Sequence, residues 1–132
     1  MSQLVIGVGF RDEASAQSIG EVLAGVAARS ATCGVATVLA VLEEKAAHPG
    51  LRAAAQATQL RIETVTADAM GVADARITTR SEQVKKHRGV GSVCEATALA
   101  AAGVGARLLV TRVVSSDRQA TAAAAIIEDS AS

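Results

Sequence analysis

The sequence predicts one α/β domain spanning residues 1–132, built on a mixed, mostly parallel sheet of about five strands with helices on both faces. Short apolar runs alternate along the chain with segments whose apolar residues recur at helical spacing. Half of the residues are apolar, so a core can form, and we find neither a linker nor an internal repeat. The alternation therefore decides the fold class.

The first strand and first helix follow from the opening segment. Residues 4–9 are a short apolar run that ends in glycine, which predicts a buried strand. Residues 13–29 then place their larger apolar side chains on one helical face. Either Asp12 or Ser15 can cap the start of this helix.

The middle of the chain repeats the pattern. Residues 35–42 predict a second buried strand, and the polar residues 43–45 predict a loop. Because proline suits a first helical position, a second helix is expected over residues 49–59. Residues 61–66 alternate and are rich in β-branched residues, which predicts a third strand, whereas residues 67–76 favour a short helix only weakly.

The last third contains one helix and one clear strand. Residues 78–91 are typical of an exposed loop, and a long helix is expected over about 92–102. Residues 107–114 predict a fourth strand, followed by a turn at residues 115–117. Residues 119–127 are ambiguous, because their alanines favour a helix while their position after a turn favours a hairpin strand.

The composition excludes several classes of function. Thirteen basic residues balance thirteen acidic ones, and Phe10 is the single aromatic residue, which argues against a nucleic-acid binder. No apolar run approaches the roughly 18–20 residues that cross a bilayer, and residues 1–10 do not resemble a secretory signal. Cys33 and Cys94 lack metal or disulfide spacing and are interpreted as free thiols. We therefore expect a cytoplasmic protein without a membrane, nucleic-acid or metal partner.

Three cations lie at or near the ends of predicted strands. Arg11 and Lys45 come after the first and second strands, and Arg112 lies near the end of the fourth. Because ligands bind beyond the carboxyl ends of the strands in such sheets, these side chains predict an anion site. The alternative is that each cation simply ends its strand in solvent.

Two short glycine turns flank this predicted site. A dinucleotide fingerprint beginning at Gly7 and Gly9 needs a third glycine where this chain has Asp12, so no cofactor is expected. The turn then serves either close approach of a ligand or packing against a helix. The second turn contains Gly89 and Gly91, which can leave helix amides free for an anion.

Two residues near the second turn carry possible chemistry. Ser92 and Glu95 have the spacing of a capping box, which favours a structural role for Glu95 over a catalytic one. His87 lies in the charge run 85–88, where it is either an acid–base group or part of a solvated loop.

Five segments together carry a family resemblance. They are Gly7–Arg11 with Ser15, Lys45 followed by Pro49–Leu51, Gly89–Ala96, Leu108–Arg112, and Ala120–Thr121. In this order, and over nearly the whole chain, they resemble the CobE / CbiG C-terminal domain family of cobalamin biosynthesis. One departure is Arg112, where the family commonly has lysine, so the charge is kept but a lysine-specific role is lost.

The resemblance implies a three-layer α/β/α fold, in which residues 119–127 form a strand. It implies a stand-alone CobE-like protein that binds or helps to process a polycarboxylate precorrin or corrin-ring intermediate, with no cofactor. The ligand-binding residues expected from the residues and the resemblance together are Gly7, Gly9, Arg11, Ser15, Lys45, Gly89, Gly91, Ser92, Arg112 and Thr121.

Two further functions stay open at this point. In CbiG the related domain is joined to another region, and the fused protein opens the lactone of a precorrin-5-type intermediate and releases acetaldehyde. In such a hydrolase, Glu95 or His87 would activate water. The other function is a non-catalytic carrier or partner of corrin methyltransferases. An oligomer is compatible with each of these functions.

Overall fold

The computed structural model describes residues 2–31, 36–69, 90–103 and 105–128. Its main elements, in chain order, are β1 (Ser2–Phe10), α1 (Ala16–Ser30), β2 (Ala36–Leu42), a 3-10 helix (Glu43–Lys45), α2 (Pro49–Thr58), β3 (Arg61–Val65), α3 (Val90–Ala102), β4 (Arg107–Val114) and β5 (Ala120–Glu128). Cys33, the predicted loop through His87 and Gly89, and most of the weak segment 67–76 lie outside the described residues.

The five strands form one mixed sheet in the order β3-β2-β1-β5-β4. The pairs β1–β2 and β2–β3 are parallel, while β5 is antiparallel to both β1 and β4. Four strands therefore run in one direction, and their carboxyl ends share an edge with the start of β5. The predicted fold class is confirmed.

Helices cover both faces of this sheet. Apolar side chains of α1 and α2, including Ile19 and Leu51, pack in one core against β1, β2 and β5. On the other face, Leu99 of α3 packs with Ala125, while Val5 and Ala40 form a further small cluster. This arrangement gives three layers, helix–sheet–helix.

Strand β5 resolves the ambiguous segment after residue 119. Ala122 to Ala125 are fully buried in this interior strand, which lies between β1 and β4 in the sheet and between the two helical layers. Alanine favours a helix in isolation, but tertiary packing overrides that preference here. Small side chains on both sides of the strand let helices approach the sheet closely, so the strand implied by the family resemblance is confirmed.

Side chains cap the first two helices. Ser15 Oγ accepts a hydrogen bond from the Ser18 amide at 3.1 Å, so Ser15 rather than Asp12 caps α1. At α2, His48 Nδ1 accepts from the amides of Gly50 and Leu51, at 3.1 and 3.3 Å. Both caps satisfy amides that the first helical turn leaves without partners.

Two local predictions are corrected. Residues 43–45 form a 3-10 helix rather than an irregular loop. Helix α3 begins at Val90, so Ser92 stands inside the helix and not at its cap. Glu95 Oε2 instead accepts a hydrogen bond from the backbone amide of Arg112, at 3.1 Å. This amide lies in an irregular stretch of the β4–β5 pairing, where a bulge removes ladder partners.

Candidate functional site

A cavity of about 210 Å³ opens at the carboxyl edge of the sheet. It lies where β1 and β2 end and β5 begins, and it is lined by Val8, Gly9, Phe10, Arg11, Val41, Leu42, Lys45, Val93, Arg118, Gln119, Ala120 and Thr121. The chain leaves β1 through α1 on one face, whereas α3 covers the other face of the same strand. Such switch points are where α/β sheets bind ligands.

The walls of this cavity are mostly apolar. Val8 and Val41 are almost fully buried, and Val93 approaches from α3. Phe10 packs edge-on against His48, with ring centroids 4.7 Å apart. The interior can therefore bury an aliphatic group of modest size.

Three cations surround the apolar interior. Lys45 forms an ion pair with Asp12, with Nζ and Oδ1 2.6 Å apart, and its ammonium lies 5.4 Å from the centroid of the Phe10 ring. Within the described part of the chain, the guanidinium groups of Arg11 and Arg118 form no ion pair. The charged residues that the described part of the chain contributes to the cavity lining are all basic, although the chain as a whole is neutral.

The turn between β4 and β5 holds Arg118 in place. Arg118 has a left-handed backbone, with φ of 61°, and its amide donates to the Ser115 carbonyl at 2.9 Å. Its neighbour Asp117 accepts hydrogen bonds from the hydroxyls of Ser18 and Ser115, at 2.5 and 2.7 Å. These bonds hold the pKa of Asp117 below its usual range, the bond from Ser18 being the largest cause. The turn is therefore tied to the start of α1.

Gln119 contributes an unusual polar atom. Its backbone carbonyl accepts from the Arg11 amide at 3.0 Å, which joins the two segments that carry the guanidinium groups. Its side-chain Oε1 is buried and has no hydrogen-bond partner within the described residues. Buried carbonyl oxygens without a partner are rare, because desolvation without compensation costs about 1–3 kcal/mol.

Comparison with known proteins identifies the family. The model of the family described as "Cobalamin synthesis G C-terminus" matches residues 4–125. The chain belongs to this family. The resemblance to the CobE / CbiG C-terminal domain family is thereby confirmed, and the protein is a cobalamin biosynthesis protein.

Solved structures agree with this assignment. The cobalamin biosynthesis protein chiG from Agrobacterium tumefaciens str. C58 is 35% identical, with a TM-score of 0.71, and the match covers 96% of this chain and 99% of that chain. CobE, described as a protein from the cobalamin (vitamin B12) biosynthetic pathway, is 27% identical, with a TM-score of 0.68 and coverage of 96% and 92%. No curated protein shows a significant match.

In this member of the cobalamin synthesis G family, the cavity brings together four of the predicted site residues. Arg11, Lys45, Gly9 and Thr121 all line it. Thr121 Oγ1 donates to the Gly9 carbonyl at 3.3 Å, which ties the end of β1 to the start of β5.

Other predicted residues stand elsewhere in the fold. Gly7 lies against α3, where an added Cβ would overlap the backbone of Cys94 and Ala98, so packing explains this glycine. Ser15 caps α1. Gly89 lies outside the described residues. Gly91 and Ser92 are in the first turn of α3.

Arg112 does not join the other two predicted cations. It lines a shallow surface along β4 together with Arg29, away from the cavity. The irregular pairing of β4 shifts its register against β5, which a pattern of alternating residues does not reveal. Arg118 supplies the third cation of the cavity instead.

The reactive side chains of α3 are either hydrogen-bonded to the backbone or buried. The carboxylate of Glu95 bonds the Arg112 amide and does not line the cavity. Burial raises the pKa of the Cys94 thiol to about 11, so the thiol is protonated at neutral pH. His87 lies outside the described residues.

Sequence reasoning missed Arg118 and Gln119. The turn signal at residues 115–117 was available, but it marks the site only if the next segment is a strand antiparallel to β1. In that case the turn must lie at the same edge as the end of β1. The missing information was the place of β5 between β1 and β4, which brings the turn beside the end of β1.

Proposed function

We propose that the protein binds a polycarboxylate precorrin or corrin-ring intermediate of cobalamin biosynthesis, with one carboxylate side arm inside the cavity. The observation that carries this proposal is an apolar cavity bordered by Arg11 and Arg118, two guanidinium groups without ion pairs among the described residues. Family membership supplies the pathway.

The size of the cavity decides how much of the ligand enters. Pockets that enclose drug-sized ligands measure about 300–1,000 Å³. This cavity measures about 210 Å³, which is too small for a tetrapyrrole ring. One acetate or propionate arm fits, and the ring then stays outside the cavity mouth.

The lining suits both ends of such an arm. Methylene groups can contact Val8, Val41 and Phe10, which removes apolar surface from water. The terminal carboxylate can accept paired hydrogen bonds from a guanidinium fork, which a carboxylate matches better than a neutral amide does.

A titration with hydrogenobyrinic acid, followed through the absorbance of the corrin, tests this proposal. The Arg11→Gln/Arg118→Gln double variant should weaken binding by about ten- to a hundredfold, because it removes two charge-assisted hydrogen-bonding groups. The Arg29→Gln/Arg112→Gln double variant removes the same charge outside the cavity and should change affinity by less than about threefold. No saturable binding by the wild type, or equal effects of both double variants, would contradict the proposal.

A carrier function is the second candidate. Because only one arm enters the cavity, the ring remains accessible to another enzyme, such as a corrin methyltransferase. The corresponding experiment is co-purification with each pathway methyltransferase, with and without hydrogenobyrinic acid. Ligand-strengthened association supports a carrier, whereas association unaffected by ligand argues against it.

We propose binding rather than lactone hydrolysis because Glu95, the predicted water-activating residue that lies in the described part of the chain, bonds a backbone amide on β4 and does not line the cavity. His87, the other candidate, lies outside the described residues. Incubation with the lactone-bearing intermediate should release no acetaldehyde above the blank. Release that is lost in a Glu95→Gln variant would instead establish the hydrolase.

A further inference from the structure

Lys45 differs from the other two cations of the cavity. Its ammonium is 2.6 Å from the Asp12 carboxylate, whereas Arg11 and Arg118 have no such counter-ion among the described residues. The Asp12 side chain is 86% exposed and does not line the cavity, while that of Lys45 is only 29% exposed. The chain thus presents one of its own carboxylates to a cation that lines the proposed binding cavity.

The backbone of Asp12 is fixed without the help of its side chain. His48 Nδ1 accepts from two amides of α2, so His48 Nε2 carries the proton and donates to the Asp12 carbonyl at 2.8 Å. The Ala14 amide also donates to the Arg11 carbonyl across this turn, at 2.9 Å. Exchange of the carboxylate therefore needs no rearrangement of the turn.

Both partners of the ion pair are charged at neutral pH, but their attraction is weak. The hydrogen bond from Lys45 and the charge of Lys45 hold the pKa of Asp12 below its usual range, so the carboxylate stays ionised at neutral pH. Because Asp12 is solvent-exposed, water and salt screen its attraction to Lys45. A second carboxylate that enters the cavity can replace Asp12 as the partner of Lys45.

We propose that Asp12 is a built-in competitor for Lys45 that weakens the hold of the cavity on a carboxylate ligand and speeds its release. The inference depends on the carboxylate-binding function proposed above. When the ligand arm enters, Lys45 exchanges the Asp12 carboxylate for that of the ligand. When the arm leaves, the Asp12 carboxylate pairs with the Lys45 ammonium again. Release of the ligand therefore does not leave Lys45 without a counter-ion.

An Asp12→Asn variant tests the competition, because asparagine removes the charge and keeps the turn-forming side chain. With hydrogenobyrinic acid as the probe, Kd should fall by about two- to fivefold, mainly through slower dissociation in stopped-flow absorbance. Glu13→Gln is the matched control, since Glu13 is the exposed neighbour and forms no bond with the described residues. This control should leave both constants unchanged.

A double variant isolates the role of Lys45. In a Lys45→Met background, the Asp12→Asn change should have no effect on Kd, because the group for which Asp12 competes is gone. Unchanged or weaker binding by Asp12→Asn alone, with an unchanged melting temperature, would overturn the inference and make Asp12 a positioning residue. Absence of binding by the wild type would instead refute the proposed function.

Discussion

At the scale of single residues, Gly7 shows how closely α3 approaches the sheet. A Cβ at this position would overlap the Cys94 carbonyl oxygen and the backbone of Ala98, and backbone atoms cannot move aside as a side chain can. The absence of a side chain at Gly7 is therefore a condition for the packing of α3 on β1.

The Gly7→Ala variant should lose about 3 kcal/mol or more of unfolding free energy, the upper range for overpacking. Gly20→Ala is the matched control, because Gly20 lies in α1 and an added Cβ would meet nothing within 4 Å. This control should gain about 0.5–1 kcal/mol, since alanine favours a helix. Urea unfolding measures both, and equal values for the two variants would contradict the proposed close contact.

The Cys94 thiol predicts a loss of stability in alkaline solution. Burial raises its pKa from an ordinary 9.0 to about 11, so between these values the unfolded chain ionises the thiol and the folded chain does not. Its contribution to stability is complete below about pH 9 and declines as the pH rises to about 11, by about 2–3 kcal/mol in total.

The measurement compares Cys33→Ser with the double variant Cys33→Ser/Cys94→Ala by urea unfolding at pH 8 and pH 10.5. The background change removes the other thiol, so the difference between the two proteins isolates Cys94. The stability advantage of the protein that retains Cys94 should shrink at the higher pH. An advantage that is constant or larger at pH 10.5 would show that the thiol ionises as readily in the folded state.

At the scale of elements, the β4–β5 turn positions the cavity residues that follow it. Ser115 is buried, and its hydroxyl oxygen accepts from the amides of Gln119 and Ala120, both at 3.1 Å. It also donates to Asp117, which in turn is tied to α1. Loss of the Ser115 hydroxyl should therefore affect both the turn and the cavity proposed to bind the ligand.

The Ser115→Ala variant should lose about 1–3 kcal/mol, because it leaves the Ala120 amide buried without its partner. It should also weaken binding of hydrogenobyrinic acid, since Arg118 and Gln119 lose their support. Ser116→Ala removes an exposed hydroxyl from the same turn and should stay within about 0.5 kcal/mol of the wild type. Similar losses of stability for the two variants would refute the role assigned to the buried hydroxyl.

Strands β4 and β5 differ in how well the sequence pattern predicts them. Strand β4 begins and ends where the apolar pattern predicts, because its valines and Thr111 favour a half-buried strand. The alanines of β5 carry no such preference, and only burial between two helical layers makes them a strand. The sequence pattern also could not predict the role of Glu95, since its carboxylate bonds the backbone amide of Arg112 on strand β4.

At the scale of the whole molecule, the chain is neutral, yet the charged residues that its described part contributes to the cavity lining are all cations. The location of the site was predictable, because parallel strands bring Arg11 and Lys45 to the same edge. Its third cation was not predictable, since bulges in β4 and the place of β5 between β1 and β4 decide that Arg118 rather than Arg112 lines the cavity. Fold class follows from local pattern, whereas the composition of the site depends on register.

The limited volume of the cavity leads to a prediction about the ligand. If one arm enters and the others stay in solvent, the arms of a corrin polycarboxylate are not equivalent in binding. Amidation of the arm inside the cavity should weaken binding by about ten- to a hundredfold, because a neutral amide cannot replace a carboxylate between guanidinium groups. Amidation of any other single arm should change affinity by less than about threefold, through screened long-range charge alone.

Titration of the wild type with a set of singly amidated corrins measures this difference, at constant ionic strength. The Arg11→Gln/Arg118→Gln variant should bind all members of the set with similar weak affinity, because the cations that distinguish one arm are gone. An even decline in affinity with every amide added, regardless of its position, would mean that the protein senses the total charge of the ring. The cavity would then not be the site that recognises one particular arm of the ligand.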